Sequence, residues 1–144
     1  MTDTPWAIAQ RIDAAFHSRD IEALAAFWDA EIDYATPDVQ LIGKPARKLA
    51  EQALLDAFPD ARIIERGYTE SVDFIAIEGT MTGAHLGPLS IGGMVVPPTN
   101  RIISSDYVAL LWFRDAKIVR QRLYFDRLAL AQQLGLSPSS QESN

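Results

Sequence analysis

The sequence predicts an α+β fold, in which a curved antiparallel sheet wraps around N-terminal helices and a short C-terminal helix closes the chain. Apolar residues three and four apart dominate residues 5–58, the period of a helix, with one strand-like stretch between them. Residues 62–125 instead carry β-branched and aromatic runs divided by turn signals, the pattern of antiparallel strands. Helical spacing then returns in DRLALAQQL.

Thr4-Pro5 is a helix start, a capping hydroxyl followed by proline at the first helical position. Ile8, Ile12, Ala15 and Phe16 make one apolar stripe. Asp20 can cap a second short helix carrying Leu24, Phe27 and Trp28, so the chain opens as a helical hairpin. Ile32 and Tyr34 mark a short strand within Glu31 to Val39, which ends in a turn at Pro37-Asp38. Gly43-Lys44-Pro45 starts a further helix with Leu49, Ala53, Leu54 and Phe58 on one side, and Pro59 closes it. Strands follow at Arg62 to Glu70, Val72 to Thr82, Arg101 to Phe113 and Lys117 to Phe125, the last two joined by a hairpin turn at Arg114–Lys117. Asp126 caps the last helix and Gly135 stops it.

The chain has 144 residues, 48% apolar and 22% charged, with a net charge of −6. That suffices for a single domain, expected over residues 1–136, with a disordered polar tail over 137–144. The acidic balance argues against broad binding to nucleic acid or anionic membrane. There is no Cys, and His17 and His85 are the two histidines, so neither thiol chemistry nor a metal site is expected. The longest apolar run, Val108 to Phe113, is far too short to span a membrane, and the N-terminus lacks the basic and apolar regions of a signal peptide, so a cytoplasmic protein is expected.

Gly83 to Asn100 interrupts two strands with four Gly and three Pro, yet carries Leu86, Leu89, Ile91, Met94, Val95 and Val96. Flexibility with that much apolar content suits a lid over a site; an ordinary long hairpin packed on its own sheet is the alternative.

GTMTGAHLG and PPTNR, the hairpin LLWFRDAKIV and the ending FDRLALAQQLG together resemble the SnoaL-like polyketide cyclases of the NTF2-like superfamily, over about residues 5–136. The resemblance implies an NTF2-like cone-shaped barrel with a deep apolar pocket between sheet and helices, a homodimer, and ring closure with no cofactor. In the family's aldol cyclases an aspartate acts as acid and base near a histidine and a glutamine. Aligned through Lys117-Ile118 and the QQLG helix, those positions hold Leu123, Ala109 and Tyr107. Asp126 matches the family's helix-capping aspartate. The catalytic positions of ketosteroid isomerases fall on Thr36, Ile12 and Ala109, and the aspartate of epoxide-hydrolase-like members nearest the last helix falls again on Leu123.

Strand alternation then divides the surfaces. With Tyr107 and Ala109 facing the pocket, as the alignment implies, Ser105 and Leu111 face it too, as do Val119, Gln121 and Leu123 on the next strand. Val108, Leu110 and Trp112 face outward and are expected in a homodimer interface. Ile12, Phe16, Trp28, Tyr34, His85 and Met94 are expected to complete the substrate-binding wall, with Leu111 and Leu123. Tyr107 and Gln121 are the candidate catalytic groups. Phe16 and Trp28 would also suit any core, and His85 an ordinary loop.

A pocket so poor in reactive groups suits a closure needing little proton transfer, in which a flexible chain is held in its reactive conformer; orientation alone can contribute roughly 7–11 kcal/mol. The sequence therefore predicts a cofactor-independent polyketide cyclase of natural-product or antibiotic biosynthesis. Its step would be a shape-controlled closure such as a [4+2] cycloaddition, with Tyr107 or Gln121 polarising a carbonyl. The alternatives are an isomerase, a hydroxylation-assisting or an aldol enzyme, and a non-catalytic carrier of a lipophilic metabolite.

Overall fold

The computed structural model describes residues 3–136; the polar tail at 137–144 lies outside them. The described chain runs α1 (Pro5–His17), α2 (Ile21–Ala25), β1 (Trp28–Ala35), β2 (Gln40–Ile42), α3 (Lys44–Ala57), β3 (Arg62–Glu70), β4 (Phe74–Ala84), β5 (Leu89–Ile91), β6 (Met94–Val96), β7 (Ile102–Arg114), β8 (Lys117–Phe125) and α4 (Arg127–Gln133). Six strands form one sheet in the order β2-β1-β8-β7-β4-β3, and β5 and β6 pair separately.

Local chemistry sets the element ends. Thr4 accepts a hydrogen bond from the Ala7 N–H, Asp20 from Glu22 and Ala23, and Asp126 from Ala129, each satisfying an orphan donor of a first helical turn. Asp126 therefore caps a helix, as its family position implies. Asp115 (φ 53°) and Ala116 (φ 61°) both lie in the left-handed region, which a two-residue hairpin between Arg114 and Lys117 requires. Gly135, at φ 82°, ends α4.

Three expectations need correction. The sheet is mixed, because β1 pairs parallel to β8. The two strands lie far apart in sequence, so no hairpin turn forces them to run antiparallel. Trp28 starts β1 instead of continuing the second helix: α2 stops at Ala25, and Trp28 pairs with Ile118. On β8 a register shift between Trp112 and Phe113 pairs Phe113 with Ile118. Ile118, 1% exposed, thus takes the inward place expected of Val119. Beyond the bulge, Gln121 and Leu123 pair with Leu111 and Ala109.

The core lies between the concave side of the sheet and helices α1 and α3, around Trp28, Ile32, Phe58, Ile75, Ile103 and Ile118, all nearly inaccessible. The Gly83–Asn100 segment takes the hairpin alternative. Leu86 and Gly87 donate to the Ala57 carbonyl, and Gly87 lies so near the Asp56 carbonyl that a Cβ there would be only 2.0 Å from its oxygen. Ile91 and Val96 join the core, and the hairpin tip donates from the Gly92 N–H to Asp38. Among the described residues no helix is long and apolar enough to cross a membrane.

Candidate active site

Strand register arranges the concave face in rows. One row holds Glu65, Gly79, Tyr107 and Phe125; the next Tyr68, Ile77, Ala109 and Leu123; the next Ile75, Leu111, Gln121 and Tyr34. Side chains that face the helices should be fully covered if the cone were filled. Tyr107, Leu123, Phe125, Gln121 and Glu65 are all only half-buried, whereas Ile75, Ile77, Ala109 and Leu111 in the same rows are buried, so the partly accessible groups rim an apolar floor. Polar groups stand at each end. Four residues along β7 separate the Tyr107 and Leu111 rows, about 13 Å at strand rise.

At one end Tyr107 lies across Gly79. A Cβ on Gly79 would sit 2.6 Å from the Tyr107 hydroxyl and 3.0 Å from the Ile64 carbonyl, so glycine is what lets the ring lie flat toward β3. There it meets Asp13, from α1, and Glu65, which share a hydrogen bond. Burial, then the Asp13 hydrogen bond and charge, push the Glu65 carboxyl up to about 9. Asp13 is raised as well, chiefly by burial, although its bond to Glu65 and the nearby His17 oppose the shift. The pair thus holds one proton on Glu65 at neutral pH, the behaviour of two carboxyls in one poorly solvated site. Burial, with the two carboxyls adding to it, also raises Tyr107, which stays a donor. His17 accepts from the Ile63 N–H through Nε2 at 3.0 Å, which fixes the start of β3 beside α1.

At the other end Arg47 of α3 is 5% exposed, its guanidinium 4.4 Å from the centre of the Trp28 ring and 3.9 Å from that of Tyr34. It donates to Glu51 at 2.8 Å and to the Gln121 Oε1 at 3.5 Å, while its Nε has no partner. Burial works against its charge, but Glu51 and Tyr34 outweigh it and raise its pKa. Burial raises Tyr34 too, Arg47 opposing, so its hydroxyl keeps its proton.

The structure therefore brings Tyr107, Gln121, Leu111 and Leu123 onto one concave surface, with Ile12 half-buried and Phe16 buried on α1 beside it. Trp28 and Tyr34 are buried against Arg47. Two expected wall residues lie elsewhere. Met94 is 44% exposed on β6, because its neighbours Ile91 and Val96 are the ones packed inward. His85 is fully buried against Phe58, where its Nδ1 accepts from the Thr99 N–H at 3.1 Å; it ties down the strand entry at Thr99–Arg101.

Asp13, Glu65, Arg47 and Glu51 were missed. Glu65 follows Ile63 at strand period, and Asp13 and Arg47 sit beside apolar stripes, so an inward polar residue was readable at each; nothing local signalled that they would meet. No group of three or more His, Asp or Glu side chains gathers as a metal site among the described residues. On the convex face Arg66 donates to Thr80, which donates to Asp106, both at 2.8 Å, at a cleft of about 360 Å³ that also meets Val108 and Tyr124.

A family model for the SnoaL-like polyketide cyclases matches residues 7–134. Solved structures share the fold. A candidate SnoaL-like polyketide cyclase from Jannaschia sp. CCS1 superposes with a TM-score of 0.81 at 18% identity, covering 96% of this chain and 99% of its own. AclR, a candidate hydroxylase from Streptomyces galilaeus, gives 0.77 at 26% identity, covering 92% and 96%. IdmH, a candidate polyketide cyclase from Streptomyces antibioticus, gives 0.76 at 21% identity, covering 93% and 100%. No curated protein matches the chain.

Proposed function

The chain belongs to the SnoaL-like polyketide cyclase family, and on that premise we propose that it closes a ring in a hydrophobic polyketide-like chain without a cofactor. The observation that carries this is the apolar concave face, with Ala109 and Leu111 buried in its floor, Leu123 partly accessible above them and the partly accessible Tyr107 and Gln121 at its two ends. Such a strip suits an elongated chain with oxygens at two places and an unsaturated middle. The apolar floor folds the middle, while Tyr107, kept protonated beside the Asp13–Glu65 pair, polarises a carbonyl at one end. A shape-controlled closure such as a [4+2] cycloaddition uses these groups without a base at position 123.

An aldol or isomerase step is the second possibility, and the Asp13–Glu65 pair favours it, since Asp13 could accept a proton while Glu65 returns one. The aldol product differs in mass once it loses water, and an isomerisation, which conserves mass, differs in forming no new ring. Supplied with a synthetic linear polyenyl β-keto thioester, a cycloaddition gives a cyclic isomer of the substrate, whereas an aldol condensation completed by dehydration loses water. The expected product is the isomer, with turnover abolished by Leu123→Trp, which fills the strip, in protein checked for its fold. Ligand recovered unchanged would support a carrier and overturn the proposal. A homodimer through the convex face at Val108, Leu110 and Trp112 is part of it, supported by the 39% exposure of Val108 and the 54% exposure of its cross-strand neighbour Tyr124.

A further inference from the structure

We infer that Arg47 is a positioning residue that turns Gln121 into a dedicated hydrogen-bond donor for a carbonyl or enolate oxygen of the substrate. The inference rests on the proposed use of the concave strip as the substrate site.

An amide side chain can face a ligand with its oxygen or its NH₂ group, and a freely rotating Gln121 would accept hydroxyls as readily as it offers N–H bonds to carbonyls. A guanidinium has donors only. Because Arg47 approaches Gln121 at 3.5 Å, the side that meets it must be Oε1, which leaves both N–H groups of Nε2 to point away. Gln121 is half-buried on the concave face, in register with Leu111, so away from Arg47 means toward the strip. Arg47 cannot turn aside. Its side chain is 6% exposed, Glu51 holds one arm at 2.8 Å, and Trp28 and Tyr34 border its plane. Among the described residues the Arg47 Nε has no hydrogen-bond partner. An oxygen acceptor from outside the protein is what this end of the strip lacks. Charge sets the class of acceptor. Arg47 and Glu51 cancel, so the end is close to neutral and suits a neutral or partly charged oxygen better than a free carboxylate.

The test uses two probes that differ at one position, a long-chain β-keto acyl N-acetylcysteamine thioester and its analogue with the keto oxygen replaced by two hydrogens. Dissociation constants are read from the fluorescence of Trp28, against a Trp28→Phe control that identifies its signal. Wild-type protein is expected to prefer the keto probe about tenfold, the scale of one well-placed hydrogen bond. Gln121→Glu keeps a partner for Arg47 but removes the donors, so the ratio of the two probes' dissociation constants within this variant should fall to about one. For Arg47 the variant is the double substitution R47M/E51M, because apolar groups of similar volume can replace a buried ion pair without unfolding the protein. It should lower the preference to about threefold or less, since Gln121 is then free to turn. A keto preference that survives Gln121→Glu, or that survives R47M/E51M unchanged, overturns the inference and leaves the cyclase proposal standing. Failure of wild-type protein to bind either probe overturns both.

Discussion

Replacing Glu65 with glutamine is expected to make the fold less sensitive to alkali. In the folded chain the Glu65 carboxyl keeps its proton up to about 9, against an ordinary 4.5, because burial and the neighbouring Asp13 disfavour its charge. The unfolded chain releases the same proton near its ordinary value, so between those two pH values the folded state binds more protons. Stability must then fall as pH rises through the window. Taken at face value the span would be worth ~6 kcal/mol. Glu65 is half-exposed and shares its proton with Asp13, so solvent screening reduces the expected loss to about 1–2 kcal/mol. Glu65→Gln keeps the size and a donor toward Asp13 but cannot ionise. The assay is urea unfolding of both proteins at pH 5, 7 and 9, and the difference between them at each pH cancels the other titrating groups. The variant should match wild type at pH 5 and exceed it by about 1–2 kcal/mol at pH 9. A difference that does not grow with pH would refute the shared proton.

Gly79→Ala should cost about 1–3 kcal/mol in thermal unfolding and lower turnover, because the new methyl would collide with the Tyr107 ring and a backbone carbonyl that cannot both yield. Tyr107→Phe, which leaves the ring in place, should lower turnover without the loss of stability. Turnover itself should stay level through neutral pH and fall as pH passes about 9, where Glu65 loses its proton, and a rate rising through that region would show that the ionised form is the active one. Val108→Asp should shift sedimentation from dimer to monomer with the cyclisation product unchanged.

Most of the fold was legible because its signals are local. The caps at Thr4, Asp20 and Asp126, the prolines at 5 and 45 and the turn at Asp115-Ala116 each act within four residues, and the elements they bound are those observed. What escaped depends on partners far away in sequence. Trp28 carries helical spacing, but its pairing with Ile118 makes it a strand residue. Val119 is expected inward by alternation, but a bulge opposite Trp112–Phe113 moves Ile118 inward instead. The site divides in the same way. Period two placed Tyr107, Leu111, Gln121 and Leu123 on one face from β7 and β8 alone, whereas Asp13 reaches Glu65 only once α1 crosses β3.

That last meeting changes the chemistry the chain can perform. With Leu123 and Ala109 at the positions that the resemblance aligns with the aldol cyclases' aspartate and histidine, the middle of the strip offers neither base nor acid. The shortage is local, however, because the protons stand at the ends. Tyr107 is the donor at one end and Gln121, beside Arg47, the proposed donor at the other, about 13 Å away by strand rise. A base in the middle of a pocket acts on the carbon next to it, and the product depends on which carbon that is. Donors at two ends grip oxygens and leave the carbon skeleton between them to the apolar floor, so the product depends on how that floor makes the chain fold. On the proposed reading, leucine at position 123 removes one mechanism and supplies part of another: the same side chain that cannot take a proton adds apolar surface on which an unsaturated chain can bend back on itself.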